Sequence, residues 1–290
     1  NGTSAIKSAS IVARSDSLSL GGELDTGSTG SLTIMPHNAA TSISLGGSAY
    51  DETGMLGLSN TELGKLSSGS LTIGGNDGQS GRLSVVGSAN LEGAGKVVLD
   101  AGEGNLDING ALKTSSQLTL ISFNEVAQSV DGIITAPALD ARGSLVDLGQ
   151  ANVVNAIAGS ASSGGFHFTS AGNLVLGRVL QSSADSTDSI TIKSAGTMSI
   201  PQTDPFEPDA RARVRSGAGA VRLSSTGAMT IDGSVESESG SIALEAGPDA
   251  VLRISATGIV SATTGDVSLK AKRVTNSGSA RPPTTGSIAT

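Results

Sequence analysis

Short apolar-polar-apolar stretches, each entered through glycine, recur along the whole chain. Gly30-Ser31-Leu32-Thr33-Ile34, Gly69-Ser70-Leu71-Thr72-Ile73 and Gly81-Arg82-Leu83-Ser84-Val85 are early examples. Gly143-Ser144-Leu145, Gly240-Ser241-Ile242-Ala243-Leu244 and Gly265-Asp266-Val267-Ser268-Leu269 follow later. Each reads as a turn and then a strand of period two, with one face apolar and the other polar. A longer unit is superimposed. Phe168-Thr169-Ser170-Ala171-Gly172-Asn173-Leu174-Val175-Leu176 aligns with Ile192 to Ile200 and with Leu223 to Ile231, keeping its apolar positions, its Ser and its Gly. The offsets are 24 (168 to 192) and 31 (192 to 223), so residues are inserted between copies. Repeats of this length predict a solenoid, in which one unit cannot bury its own apolar face and stacking on a neighbour does so.

Helical periodicity is weak. Phe123, Val126, Ala127 and Val130 fit an i, i+3, i+4, i+7 template, which four residues match easily by chance. Pro201, Pro205 and Pro208 exclude a central strand from 201–209 and predict a loop leaving the solenoid. Arg281-Pro282-Pro283-Thr284-Thr285-Gly286 reads as a linker. The expected organisation is a shaft over 1–276 with an excursion near 201–210, then a linker or the start of another segment over 277–290.

Composition narrows the fold. The 290 residues include 40 Gly but only 2% aromatics, with no Trp and one Tyr, while 37% are hydrophobic. Such a chain cannot build a core on large rings, yet it holds too many aliphatics to be disordered. A β-sandwich would also show regular short strands, but its core usually holds aromatics and its hairpins Asn-Gly or Asp-Gly turns. Thin aliphatic layers of about 20–30 residues fit better. The expected fold is all-β, a parallel β-helix with coils about 4.8 Å apart, right-handed by the usual hand of parallel crossovers.

Charge and cysteine content remove several function classes. The net charge is −8, which opposes general nucleic-acid binding and attachment to anionic lipid. Zero Cys excludes disulfides and thiolate sites. No apolar run reaches the length of a membrane span. The sequence starts Asn1-Gly2-Thr3, without a signal peptide or initiator Met, and is read as a mature or excised fragment.

From Ser122 to about Gly233 the chain resembles the filamentous haemagglutinin family, large surface adhesins exported by two-partner secretion. Val126 to Leu139, with Gln128 followed by Gly132, Ile133, Ala136 and Leu139, is similar to the family's turn-strand unit. Gly143 to Leu148 follows; Ala151-Asn152-Val153-Val154-Asn155-Ala156-Ile157-Ala158 then resembles its Ala-x-Asn-x-Val segment, and Met198-Ser199-Ile200-Pro201-Gln202 the start of the unit again. The Asn-Pro-rich motif of the family's export domain is absent from the sequence, so the resemblance implies a shaft segment downstream of that domain. It implies a bacterial cell-surface location, an outer-membrane export partner and host or neighbouring-cell glycans or proteins as ligands. An autotransporter passenger would give a similar sequence.

Candidate chemistry is sparse. His167 lies between Phe166 and Phe168, so period two turns it to solvent if the rings face inward; His37 stands alone. Asp204, Glu207 and Asp209 sit in the proline-rich stretch and could line a groove for glycan cleavage, which needs two carboxyls across the sugar. Phe206 would be the stacking ring. Arg211, Arg213 and Arg215 alternate, placing three guanidinium groups on one strand face. They suit sulfated glycans, a soluble strand or a charged edge that discourages wrong pairing. Lys270, Lys272 and Arg273 pose the same choice. Gly74-Gly75-Asn76-Asp77-Gly78 lacks the fourth-position Gly and tandem repetition of calcium nonapeptides and reads as a turn.

These readings predict a non-catalytic structural and adhesive shaft, without cofactor or metal. Weak contact candidates lie at 204–215, and no capping helix protects the ends from end-to-end stacking. The alternative is a polysaccharide lyase or hydrolase on the same scaffold.

Overall fold

The computed structural model describes residues 5–281 and 288–289, except 49, 76, 77, 79, 80 and 186; for 279–281 and 288–289 only the backbone is described. Asn1-Gly2-Thr3, the Asn76-Asp77 turn and the proline pair 282–283 lie outside those residues. The fold is all-β, a parallel β-solenoid, its strands stacked in parallel ladders. The chain divides into two compact units, Asn1–Gly143 and Ser144–Thr290.

In the second unit the coils run along three sides, opening with the single 17-residue strand Leu145–Ala161 and continuing mostly in short strands. Phe166–Ser170, Ile190–Ser194, Val221–Ser225, Ile242–Glu245 and Val267–Lys270 stack in register on the first side. The inward columns are Phe166, Ile190, Val221, Ile242, Val267 and Phe168, Ile192, Leu223, Leu244, Leu269, all nearly or fully buried. A second side stacks Leu174, Met198, Met229, Leu252 and Val274. The third stacks Val179, Val214, Val235 and Val260. The spacings of 24 and 31 seen in the sequence are therefore coil lengths, from Phe166 to Ile190 and from Ile190 to Val221. Like side chains stack on like, so one register serves every layer, and a slip by one residue would turn a whole strand inside out.

The conserved Ser and Gly of the sequence repeat form the corner. Ser170, Ser194 and Ser225 are aligned partners. Ser194 Oγ donates to the Gly172 carbonyl of the previous coil at 2.7 Å and accepts from Gly196 N–H at 3.1 Å. The hydroxyl thus occupies backbone groups that a turn would otherwise leave unpaired.

Beyond 276 two more strands follow: Ser279–Arg281 pairs with Ile259–Ala262, and Ile288–Ala289 with Val267–Lys270.

In the first unit, Ser10–Arg14, Ser31–Met35, Leu66–Gly74, Ala94–Asp100 and Gln117–Ile121 form one ladder. Its interior carries Leu32, Leu71, Val97 and Leu118, each fully buried. Phe123 to Val130 is not helical: Glu125–Gln128 is a strand, while Phe123 and Val130 are 60% and 76% exposed. The alternation of buried Val126 with its neighbours outweighs the chance four-residue helical match. Among the described residues the one α-helix is Asn60–Leu63. It begins in a capping box, with Ser59 Oγ accepting from Glu62 N–H and the Glu62 carboxylate accepting from Ser59 N–H. This turn was not expected.

Candidate functional site

The long coil between Ile190 and Val221 owes its extra residues to the excursion after Met198–Ile200. An antiparallel bridge between Thr203 and Arg211 closes its base. Inside it, Asp204 N–H donates to the Ala210 carbonyl at 2.9 Å, and Ala210 N–H to the Glu207 carbonyl at 2.8 Å. Phe206 N–H donates to Asp204 Oδ1 at 2.8 Å, so this aspartate acts as a turn former. The proline-rich loop expected from the sequence is present, and it is tightly organised.

Asp204 does not line a groove. Its residue is 1% exposed, and Oδ2 is enclosed without a hydrogen-bond partner. The loop folds back over Gly177 in the strand Leu174–Gln181; a Cβ there would stand 2.8 Å from both Asp204 Oδ1 and a Phe206 ring carbon. Only glycine leaves room for this approach. Glu207 reaches the neighbouring Arg178 at 3.2 Å, while Pro205, Pro208 and Asp209 are exposed. The three loop carboxyls are thus one buried, one ion-paired and one solvated.

The arginines divide similarly. Arg213 and Arg215 point outward from the strand Arg213–Ser216, with Val214 fully buried between them. Arg213 pairs with Glu236 and Arg215 with Glu238 of the next coil. Arg211 precedes the strand, and its guanidinium donates to the carbonyls of Asp232 at 3.4 Å, Gly233 at 3.2 Å and Thr257. It ties together the corners of the two following coils. The row is therefore largely engaged in coil-to-coil contacts. Lys270 and Lys272 likewise meet Glu245 at 2.7 Å and Asp249 at 3.1 Å. The partners Arg178, Glu236 and Glu238 were missed. Glu236-x-Glu238 repeats the spacing of Arg213-x-Arg215, but the register sets Arg213 opposite Ser234 and Arg215 opposite Glu236, so each arginine reaches diagonally to the glutamate two residues beyond its partner.

Phe166 and Phe168 are buried and the His167 side chain is 42% exposed, as period two requires. His167 Nδ1 stands 3.9 Å from Asp147, beyond hydrogen-bond reach. Among the described residues no cluster of three His, Cys, Asp or Glu could hold a metal ion, and no helix is long and apolar enough to cross a membrane. The arrangement can present a stiff, partly apolar loop apex from a paired and hydrogen-bonded wall. No protein-family model, curated protein or solved structure matches this chain.

Proposed function

We propose that the chain is a structural and adhesive segment of a large exported bacterial surface protein, working by spacing and binding without catalysis. The carrying observation is the loop 201–210: its carboxylate Asp204 and ring Phe206 are packed against the coil, while Pro205, Glu207, Pro208 and Asp209 remain accessible. Such a loop is pre-organised for contact, which lowers the ordering cost of binding. Host or neighbouring-cell glycans or proteins are the proposed ligands, with an outer-membrane partner for export. The fully stacked interior gives the stiffness that a spacer needs.

The test compares the purified chain with a variant in which 205–209 is replaced by Gly and Ser. Both are applied to glycan arrays and to cultured cells. Binding by the parent that the variant loses supports the reading; equal binding by both removes the loop from it. Cleavage of any array glycan, abolished by Asp204→Ala in a folded variant, would replace it with the enzymatic alternative.

A further inference from the structure

The first unit contains a break in the winding order. On two sides its earliest coil is formed by Ala5–Lys7 and Ser10–Arg14, which pair with Glu23–Asp25 and Ser31–Met35. The third strand should come next, from residues 15–22, but these form no strand. Their place is taken by Met55–Leu58, which follows Ser42–Leu45 in sequence yet pairs on its other edge, opposite Leu83–Val85. Gly46 and Gly47, at φ 89° and 55°, lie where the chain turns back. Leu56 and Leu58 are fully buried, so the returning strand completes the core of that layer.

The outer edge of Met55–Leu58 is covered by the segment just before it. Met55 and Glu52 exchange both backbone hydrogen bonds, at 2.9 and 3.1 Å. The next outward group, Gly57 N–H, donates to Asp51 Oδ1 at 2.9 Å. A Cβ on Gly57 would lie 2.3 Å from the Tyr50 carbonyl, so the cover rests directly on the strand. Asp51 Oδ2 also accepts from Ser17 Oγ at 2.7 Å and Leu18 N–H at 2.9 Å. Glu62 accepts from Leu20 N–H at 3.1 Å, and Lys65 donates to the Leu20 carbonyl. The displaced segment 15–22 is thereby strapped across the returning strand and its helix.

We infer that residues 50–65 are a built-in cap that terminates the ladder on this side of the first unit. An uncovered edge offers a row of unpaired N–H and C=O groups to any further strand. Here Glu52 and Asp51 occupy those positions. A second copy, or a coil placed beforehand, cannot extend this side without displacing Tyr50, Asp51 and Glu52. End-to-end growth through this side is closed. This holds or fails independently of adhesion.

The test uses the full chain, Asp51→Ala and Gly57→Val. Asp51→Ala removes the acceptor of the Gly57 amide; Gly57→Val pushes the Tyr50 backbone away while favouring the strand. Hydrogen exchange should show the wild-type Gly57 amide protected, and exchange about tenfold faster in Asp51→Ala. In sedimentation velocity the variants should associate increasingly with concentration, beyond the wild type. Free-peptide exchange at wild-type Gly57 would overturn the inference whether or not a variant folds. So would variants that keep the wild-type circular dichroism and sediment as the wild type does.

Discussion

Leu223 sits in the middle of an interior column, with Ile192 one coil before and Leu244 one coil after, and is 1% exposed. Leu223→Ala removes its packing and leaves a void that the neighbouring layers, held in register by backbone ladders, fill only partly. Such truncations cost about 2–5 kcal/mol. A stacked array need not unfold in one step, so the appropriate assay is native-state hydrogen exchange along 190–245. The loss should appear as exchange roughly 30-fold to 4,000-fold faster for amides that open with this layer. The effect should fade with distance along the stack, because each coil touches only its neighbours. The adjacent Arg222 is exposed, and Arg222→Ala should stay within about 0.5 kcal/mol. A Leu223→Ala cost under about 1 kcal/mol, or equal effects of the two substitutions, would refute the inside-outside assignment.

Gly240→Ala should destabilise the second unit in thermal melts, because its Cβ would lie 2.2 Å from the Gly219 carbonyl of the previous coil. Arg215→Ala should cost about 0.2–1 kcal/mol at low ionic strength and nothing measurable at about 1 M salt, since its pair with Glu238 is half exposed. Burial raises the Glu62 pKa, but hydrogen bonds from Leu20 N–H and from Ser59 outweigh it and leave the value below its ordinary 4.5. The cap is therefore fully supported above about pH 4.5 and loosens as pH falls through the lowered value, which pH-resolved hydrogen exchange at 55–58 would detect. Asp100 is shifted the other way, upward by burial despite the Gly102 N–H. Asp100→Asn should accordingly raise the melting temperature near pH 7 and change it little near pH 3.

The stacked strands were legible where alternation of period two coincided with glycine, as at Gly240-Ser241-Ile242 and Gly265-Asp266-Val267. There the side chain's face follows from position alone. The loop after Ile200 was legible through its prolines. Its interior was not: Asp204 looks like a solvated acid until the Gly177 surface is known to lie beneath it. The Arg213–Glu236 and Arg215–Glu238 pairs depend on a coil offset that the irregular insertions conceal. Ser59-Asn60-Thr61-Glu62 carries a readable capping box, but one helical turn is too short to register as periodicity.

The backward placement of Met55–Leu58 also imposes an order in time. Elsewhere in the unit a coil has the previous one as its template. The first layer, by contrast, remains open on one side until residues far downstream arrive, because its missing strand pairs with Ser42–Leu45. A chain emerging N-terminus first, from a ribosome or through a membrane pore, therefore carries an unfinished layer until Lys65 is free to reach the Leu20 carbonyl. Closure at that moment would complete the layer, and would make it the last part of its own neighbourhood to set.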